Sequence, residues 1–517
     1  MKRSLLRALL WAAVLGCTTA VADAQTRAQA MGYYRRDADE ANRQRMANQF
    51  RADAERASRR NDETRRATYS PSGGNGGSTG SSARRSSGTG PASPSYSGAD
   101  DDGPRAIESS TTEVMRVRES EPETARRILR EAAAGQRESM WNAGRLLFTG
   151  GFGGVARDDA AAMGWFRKAA AAGHPEAATV LGEAYLFGQG GTPKDLDQAV
   201  RWLKLGAEAG VPRAQLQYGI AQFKGEGGLR ADTPLAMQWL QKAAAGGERY
   251  AQWAVATQLR SGVSLPRDLP EARRLLELAS QQGFGLATYE LAEMLAHAEG
   301  GARDDVRART LYLQAAEAGV PEGMSNGGVM LVRGLGGPPD VPRGLALVRQ
   351  AAEQHGLARA QFDWGVYLLE GVRVAQDVDQ AVVWLGKAAE QKEADAQGVL
   401  GGLLMTGNGV RQDVARALPM LRAGAEAGSV LAADNLGEAL FIGQHVPQNM
   451  PEAARFNRMA AEGGRWFAQL RWGWQLKHGA GVPANGREAY KWLKLAADNG
   501  VQRAREELDA AFVAANR

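Results

Sequence analysis

One acidic residue returns along this chain at a nearly fixed interval, and that interval limits the fold more than anything else in the sequence. It stands at Asp158, Asp195, Asp232, Asp268, Asp304, Asp340, Asp377 and Asp413, and Asn449 and Asn485 then take its place. Every step is 36 or 37 residues. Seven places after each comes a large apolar residue: Trp165, Trp202, Trp239, Leu275, Leu311, Leu347, Trp384, Met420, Phe456 and Trp492. A unit-closing residue follows at Gly173, Gly210, Gly247, Gly283, Gly319, Gly356, Lys392, Gly428, Gly464 and Gly500, with Lys392 the one departure from glycine. A period of this size held over ten units marks an array in which no unit can bury its apolar face alone.

Each unit reads as two helices. In 175–210, Ala177, Leu181, Gly182, Tyr185 and Gly188 fall at helical spacing, and after a glycine-containing loop so do Asp195, Ala199 and Trp202. Recurrence at i, i+3, i+4 and i+7 gives both helices, A and B, one buried face. Alanine supplies much of the apolar content, and it favours closely packed helices over strands. The aspartate precedes helix B, where a carboxylate accepts from free N–H groups at the positive end of the dipole. Gln198, Glu271, Gln380, Glu452 and Glu488 stand three places on, the spacing of a capping box. The closing glycine suits the left-handed position that ends a helix. Small residues at Gly182, Gly219, Gly365, Gly401, Gly437 and Gly473 let helices approach closely. Residues 120–135 read as a lone helix B and 501–517 as a lone helix A, capping the two ends.

The pattern A-x-x-x-L-G-x-x-Y, then D-x-x-x-A-x-x-W-x-x-x-A-A-x-x-G, resembles the Sel1-like repeat family, kin of tetratricopeptide repeats. Residues 181–190, 199–210 and 381–391 carry the likeness. It implies an all-α fold: a right-handed α-solenoid of about ten helix-turn-helix repeats, at 136–173, 174–210, 211–247, 248–283, 284–319, 320–356, 357–392, 393–428, 429–464 and 465–500. The family consists mostly of scaffolds and adaptors for protein complexes. In bacterial envelopes it includes lipoproteins of polysaccharide-secretion machines. A branch with a cysteine pair in each repeat is a poor match, because the one cysteine, Cys17, lies outside every repeat.

The array is preceded by a disordered region in this reading. Residues 1–24 read as a secretory signal peptide, with basic residues, a short apolar run and Ala22-Asp23-Ala24 before Gln25. Val14–Cys17 also resembles a lipobox. Cleavage near Ala24 and lipidation of Cys17 both stay open, giving a periplasmic or secreted protein or an outer-membrane lipoprotein. Residues 25–66 hold eleven arginines and seven acidic residues without aliphatic periodicity, a solvated tether or a basic arm for anionic lipid or cell-wall polymer. Residues 67–119 are a Ser/Gly/Pro-rich linker. The net charge of +5 is no footprint for nucleic acid.

The search for chemistry returns little. His174, His297, His355, His445 and His478 fall in five different repeats, read as surface or loop residues. The sequence has no nucleophile elbow and no phosphate-binding glycine loop; its glycine runs at 151–154, 334–337 and 407–409 are inter-helix loops. Asp377 and Asp379 before Trp384 imitate a metal or sugar site, yet Asp377 and Trp384 are the repeat's own cap and core plug. The expectation is therefore no enzyme, no cofactor and no metal. Function is sought where the repeats differ. Counted from the repeat alanine of helix A, such as Ala177, Ala251 or Ala360, offsets +2, +6 and +9 share a face apart from the packed stripe, and in such arrays helix A lines the concave side. Trp253, Arg260, Tyr289, Phe362 and Trp474 on that face are the candidate partner-binding residues. Protein partners are expected first. Peptidoglycan or exopolysaccharide is the alternative, as an accessory of an export or cell-wall machine, and the membrane is reached only through a lipid anchor or the basic arm.

Overall fold

The computed structural model describes residues 120–516 other than 372 and 444. The leader, Cys17, the basic segment and the linker lie outside them. The described residues form helices and connecting turns, with no strand among them. The order is α1 (Glu121–Ala133), α2 (Arg137–Thr149), α3 (Asp159–Ala171), α4 (Pro175–Phe187), α5 (Leu196–Glu208), α6 (Pro212–Lys224), α7 (Thr233–Ala245), α8 (Arg249–Ser261), α9 (Leu269–Gln281), α10 (Gly285–Ala296), α11 (Asp305–Glu317), α12 (Pro321–Arg333), α13 (Val341–Gln354), α14 (Ala358–Glu370), α15 (Val378–Glu390), α16 (Ala394–Thr406), α17 (Val414–Glu426), α18 (Val430–Ile442), α19 (Met450–Glu462), α20 (Trp466–His478), α21 (Gly486–Asp498), α22 (Gln502–Glu507) and α23 (Ala510–Asn516). The even helices from α2 to α20 are helix A of the ten repeats, and the odd ones from α3 to α21 are helix B. The fold is an α-solenoid of helical hairpins.

The described chain divides at residue 195 into two compact units. In the first, α1 begins with a capping box: the Ser120 backbone N–H and hydroxyl both donate to the Glu123 carboxylate, at 3.0 and 2.9 Å. Phe166 of α3 is fully buried against Trp141 of α2, ring centroids 5.1 Å apart. His174 departs from the expected surface placement. It is 5% exposed, stacks on Trp141 at 5.0 Å, and its Nδ1 accepts the Ala177 N–H at 3.3 Å as the N-cap of α4. Its Nε2 then faces the Glu138 carboxylate at 3.2 Å, and this bond holds Glu138 below the usual carboxylate range. The Gly153 loop closes on α1 rather than on empty space, since a Cβ there would meet the Glu121 carbonyl at 2.6 Å.

In the second unit, consecutive helices stack over small residues. The repeat alanine of helix A is wholly buried at Ala214, Ala251, Ala287, Ala360, Ala396, Ala432 and Ala468. So is the matching alanine of helix B at Ala199, Ala236, Ala272, Ala308, Ala381, Ala417, Ala453 and Ala489. A Cβ on Gly365, Gly401 or Gly473 would stand 2.9, 2.7 or 2.8 Å from Leu385, Leu421 or Leu493 of the following helix, so the close approach expected of these glycines is real.

The caps form as the sequence predicts. Asp232, Asp268, Asp304, Asp340, Asp377 and Asp413 each accept a backbone N–H three residues on, at 2.9–3.2 Å, and Asn449 and Asn485 do the same. The expected return limb of a capping box is not made by Glu271, Glu452 or Glu488. The reason lies in the cap residue's own N–H, which already donates to a carbonyl near the end of helix A: Asp268 to Leu259, Asn449 to Leu440 and Asn485 to Leu476. Glu271 turns instead to Arg274, Glu452 to Arg422, and Glu488 to the Trp492 indole.

Two further corrections and one confirmation concern packing and helix ends. Leu275, Leu311 and Phe456 are buried at seven as predicted, but in most repeats the deepest apolar side chain of helix B sits one residue later. Leu203, Leu276, Val348, Leu385, Leu421 and Leu493, eight places after the cap, are fully buried. Trp202, Trp239, Trp384 and Trp492, at seven, are half-buried. Position eight lies one turn above the buried alanine at four, whereas seven stands on the flank of the stripe. From there Trp239 and Trp384 take the ammonium groups of Lys242 and Lys387 over their rings, at 4.3 and 3.8 Å. The closing residue is left-handed in all ten repeats, from φ +62° at Gly356 to φ +98° at Gly428, and Lys392 obeys at φ +66°. The C-terminal cap is not one helix. It breaks at Leu508, where φ −91° and ψ 52° leave the helical region, into α22 and α23.

Candidate functional site

The variable face of helix A turns out to be joined to the next helix A. Trp253 on α8 donates its indole N–H to Glu290 on α10 at 2.7 Å, and the Thr257 hydroxyl reaches the same carboxylate at 3.3 Å. Arg260 on α8 makes two bonds to Glu299, at 2.6 and 3.1 Å. Glu293 on α10 accepts from Asn326 on α12 at 2.7 Å and from the Tyr312 hydroxyl. Asn435 on α18 donates to the Gly398 carbonyl on α16 at 3.1 Å. Arg471 on α20 pairs with Asp434 on α18. A register emerges: offset +3 of one helix A closes over offsets +2 and +6 of the helix before it.

This register fixes the surroundings of each sequence-predicted residue. Trp253 is half-buried, its ring edge-on to Phe284 at 5.6 Å, with part of its surface open. Arg260 is committed to Glu299, with 27% of its side chain exposed. Tyr289 is half-buried near Tyr312, centroids 5.9 Å apart. Burial, then the carboxylates of Glu293, Glu322 and Glu290, push its phenol upward, so it stays protonated. Trp474 is half-buried, edge-on to Phe441 at 5.3 Å and stacked on His478 at 4.4 Å. Phe362 must be withdrawn as a surface anchor. It is 7% exposed inside the core, with the Arg359 guanidinium 4.8 Å above its ring. Trp253, Arg260 and Tyr289 therefore share one neighbourhood on α8 and α10, and Trp474 stands in another, on α20.

Sequence reasoning missed the partners. Glu290, Asn326, Asn435 and Arg471 occupy offset +3, where other repeats carry Val180 or Val399, and that polar substitution was the available signal. The most developed case lies between α18 and α20. Asp434 also accepts from Arg465 at 2.6 Å, Arg471 donates to Asn457 at 2.9 Å, and Asn457 donates to Gln475 at 2.9 Å. Asn457 replaces the core leucine of helix B and is fully buried. Also missed were Trp466 and Phe467 at the start of α20, 53% and 63% exposed.

As chemistry the face offers shape, aromatic surface and charge. Among the described residues no cluster of His, Cys, Asp and Glu is arranged to hold a metal ion, and no helix is long and apolar enough to cross a membrane.

The comparisons with known proteins agree with the period. A model of the Sel1 repeat matches ten segments: 137–174, 175–211, 212–248, 249–284, 285–320, 321–355, 358–393, 394–429, 430–464 and 466–501. Each begins one residue after the boundary read from the sequence. Among solved structures, a protective antigen present in uropathogenic Escherichia coli strains, with an SLR fold, is 28% identical, covering 75% of this chain and 92% of its own at a TM-score of 0.49. A Sel1 repeat protein from Oxalobacter formigenes is 29% identical, covering 60% of this chain and 88% of its own at a TM-score of 0.42. No curated protein sequence matches.

Proposed function

The chain belongs to the Sel1 repeat family, and we propose that it is a non-catalytic protein-interaction scaffold of the bacterial cell envelope, taking its partners along the helix-A face. Sel1 repeat proteins are generally protein–protein interaction scaffolds, which supports the broader half of this reading. One observation carries the rest: Trp253, Tyr289 and Trp474 keep part of their aromatic surface open on a face where many polar neighbours are already tied by hydrogen bonds. Rigid, half-buried aromatics are the residue type on which partner affinity concentrates. The leader at 1–24 and the basic segment at 25–66 support an envelope location, with Cys17 the lipid-anchor residue if the lipobox is used. Carboxylates beside Trp253 and Tyr289 favour, as a second reading, an accessory that stacks those rings on the sugars of peptidoglycan or an exported polysaccharide.

The test is capture from solubilised envelopes with the full chain, beside Trp253→Ala and Trp474→Ala variants of unchanged thermal unfolding. A defined protein should be retained by the wild type and lost from at least one variant. Retention of glycan alone, or equal retention of protein by all three chains, would end the protein-scaffold reading.

A further inference from the structure

One guanidinium on the helix-A face is shared by three carboxylates, and one of these is nearly inaccessible to water. Arg359 of α14 lies 3.5 Å from Asp363 on its own helix, 3.4 Å from Glu393 at the N-cap of α16, and 3.2 Å from Asp395 in the first turn of α16. Its face rests on the Phe362 ring. Asp395 has a second donor, the Ser429 hydroxyl at 2.8 Å. Asp363 is 7% exposed, and 3.5 Å is too long for a strong charge-assisted bond. The groups facing it are Arg359 and Tyr367 on its own helix, Arg333 at the end of α12, and Glu393.

We propose that this cluster makes the junction of repeats 7 and 8 a pH-responsive joint of the array, weaker at neutral pH and tighter in mild acid. At neutral pH Arg359 must answer three carboxylates, two of them across the repeat boundary, with Arg333 adding its pull on Asp363 alone. A proton on Asp363 removes the charge that is most costly to bury and leaves Arg359 to Glu393 and Asp395, the two contacts that span the boundary. The electrostatics run the same way. Burial pushes Asp363 up to about 6 from an ordinary 3.8, against the pull of Arg359 and Arg333, and burial raises Glu393 as well. A carboxyl raised on folding binds its proton more tightly in the folded state. Its contribution is complete below the unfolded value and is lost as pH rises through about 6. Over that window the opening equilibrium changes by up to about 100-fold. A solenoid has only neighbour-to-neighbour interfaces, so no distant contact masks a change at one joint.

The experiment is amide hydrogen exchange on the full chain at pH 5 and pH 7, corrected for intrinsic exchange, on the wild type, Asp363→Asn and Glu393→Gln. Amides of α14 and the first turn of α16 should be protected about tenfold more at pH 5 than at pH 7 in the wild type, the part of the full window that lies above pH 5. Asp363→Asn should show the pH 5 level at both pH values, and Glu393→Gln a reduced difference. Equal protection at both pH values in the wild type, or an undiminished difference in Asp363→Asn, would overturn the proposal. Carboxyl-carbon NMR of the wild type gives a reading independent of any variant's folding: one aspartate titrating near pH 6 is expected, and all of them titrating below about pH 4.5 would also overturn it.

Discussion

The start of helix B and the face of helix A obey opposite rules. At the start of helix B the same residue does the same task in one repeat after another: Asp377 accepts the Gln380 N–H, and Asp413 the Arg416 N–H, within a single turn of chain. On the variable face of helix A almost no residue is repeated, yet most of its polar side chains are engaged. Glu290 answers Trp253 thirty-seven residues away, and Arg471 answers Asp434 at the same separation. The conserved row is local and each member is replaceable alone. The variable row is pairwise, so a change on one helix demands a change on the next. Variation between repeats therefore does not mark a free surface. It marks first the matching of neighbours, and only what that matching leaves open, part of Trp253, Tyr289 and Trp474 included, is available to a partner.

The largest expected effect tests that pairing. Arg471→Ala removes the buried guanidinium from Asp434 and Asn457, leaving Asp434 to Arg465 alone and Asn457 to Gln475, and should destabilise the chain by about 3–5 kcal/mol in urea unfolding. Arg422→Ala, which removes an ion pair between helices B from a guanidinium 41% exposed, should cost no more than about 1 kcal/mol. Similar losses for both would mean that the helix-A network has no special weight.

A smaller effect separates position eight of helix B from position seven. Leu385→Ala empties a fully buried site and should cost about 2–5 kcal/mol. Trp384→Ala removes the larger side chain but a half-exposed one, and should cost about 1–2 kcal/mol. Thermal unfolding of the two single variants decides it. A greater loss for Trp384→Ala would restore the tryptophan as the core plug.

The same contrast explains what could be read from the sequence. The period, the two helices, the cap and the closing turn are properties of short segments, and each was legible from Asp, Ala, Leu and Gly at fixed spacing. The plug was misread by one residue because a tryptophan at seven advertises burial more loudly than a leucine at eight, although the alanine at four already set the direction of the stripe. The break at Leu508 had no repeat to be compared with. The pairing of offset +3 with +2 and +6 depends on how far each hairpin rises and turns relative to the last, and no single repeat contains that information. Phe362 was misplaced for this reason: its offset matches that of Trp253, but Arg359 and the neighbouring helices cover it.

Within the conserved row, Asp377→Ala should cost about 0.5–2 kcal/mol, and Asp377→Asn much less, because Asn449 and Asn485 already make the same bond at 3.2 and 3.1 Å. Neither should alter partner capture. Loss of capture by a fully folded Asp377→Ala chain would make the Asp-x-Asp pair with Asp379 a site after all.

The smallest effect has the opposite sign, and it asks whether the closing turn is dictated by the residue or by the array. Lys392 is exposed and left-handed, a conformation that costs an L-residue with a side chain roughly 1–2 kcal/mol. The glycine found at the other nine closing positions relieves that strain but enlarges the unfolded ensemble, an offset of about 0.4–1 kcal/mol. Lys392→Gly should thus stabilise the chain by about 0.5–1 kcal/mol, read as a higher urea midpoint at unchanged slope. Gly428→Lys at φ +98° should destabilise it by at least as much. If Lys392→Gly leaves the midpoint where it was, lysine is at ease in this turn, and glycine at the other nine positions is kept for the passage of a neighbouring side chain rather than for φ. Space around Gly428, Gly464 and Gly500 argues otherwise, because a Cβ there would meet nothing within 4 Å. The backbone angle alone then favours glycine, and the array holds the turn even at Lys392.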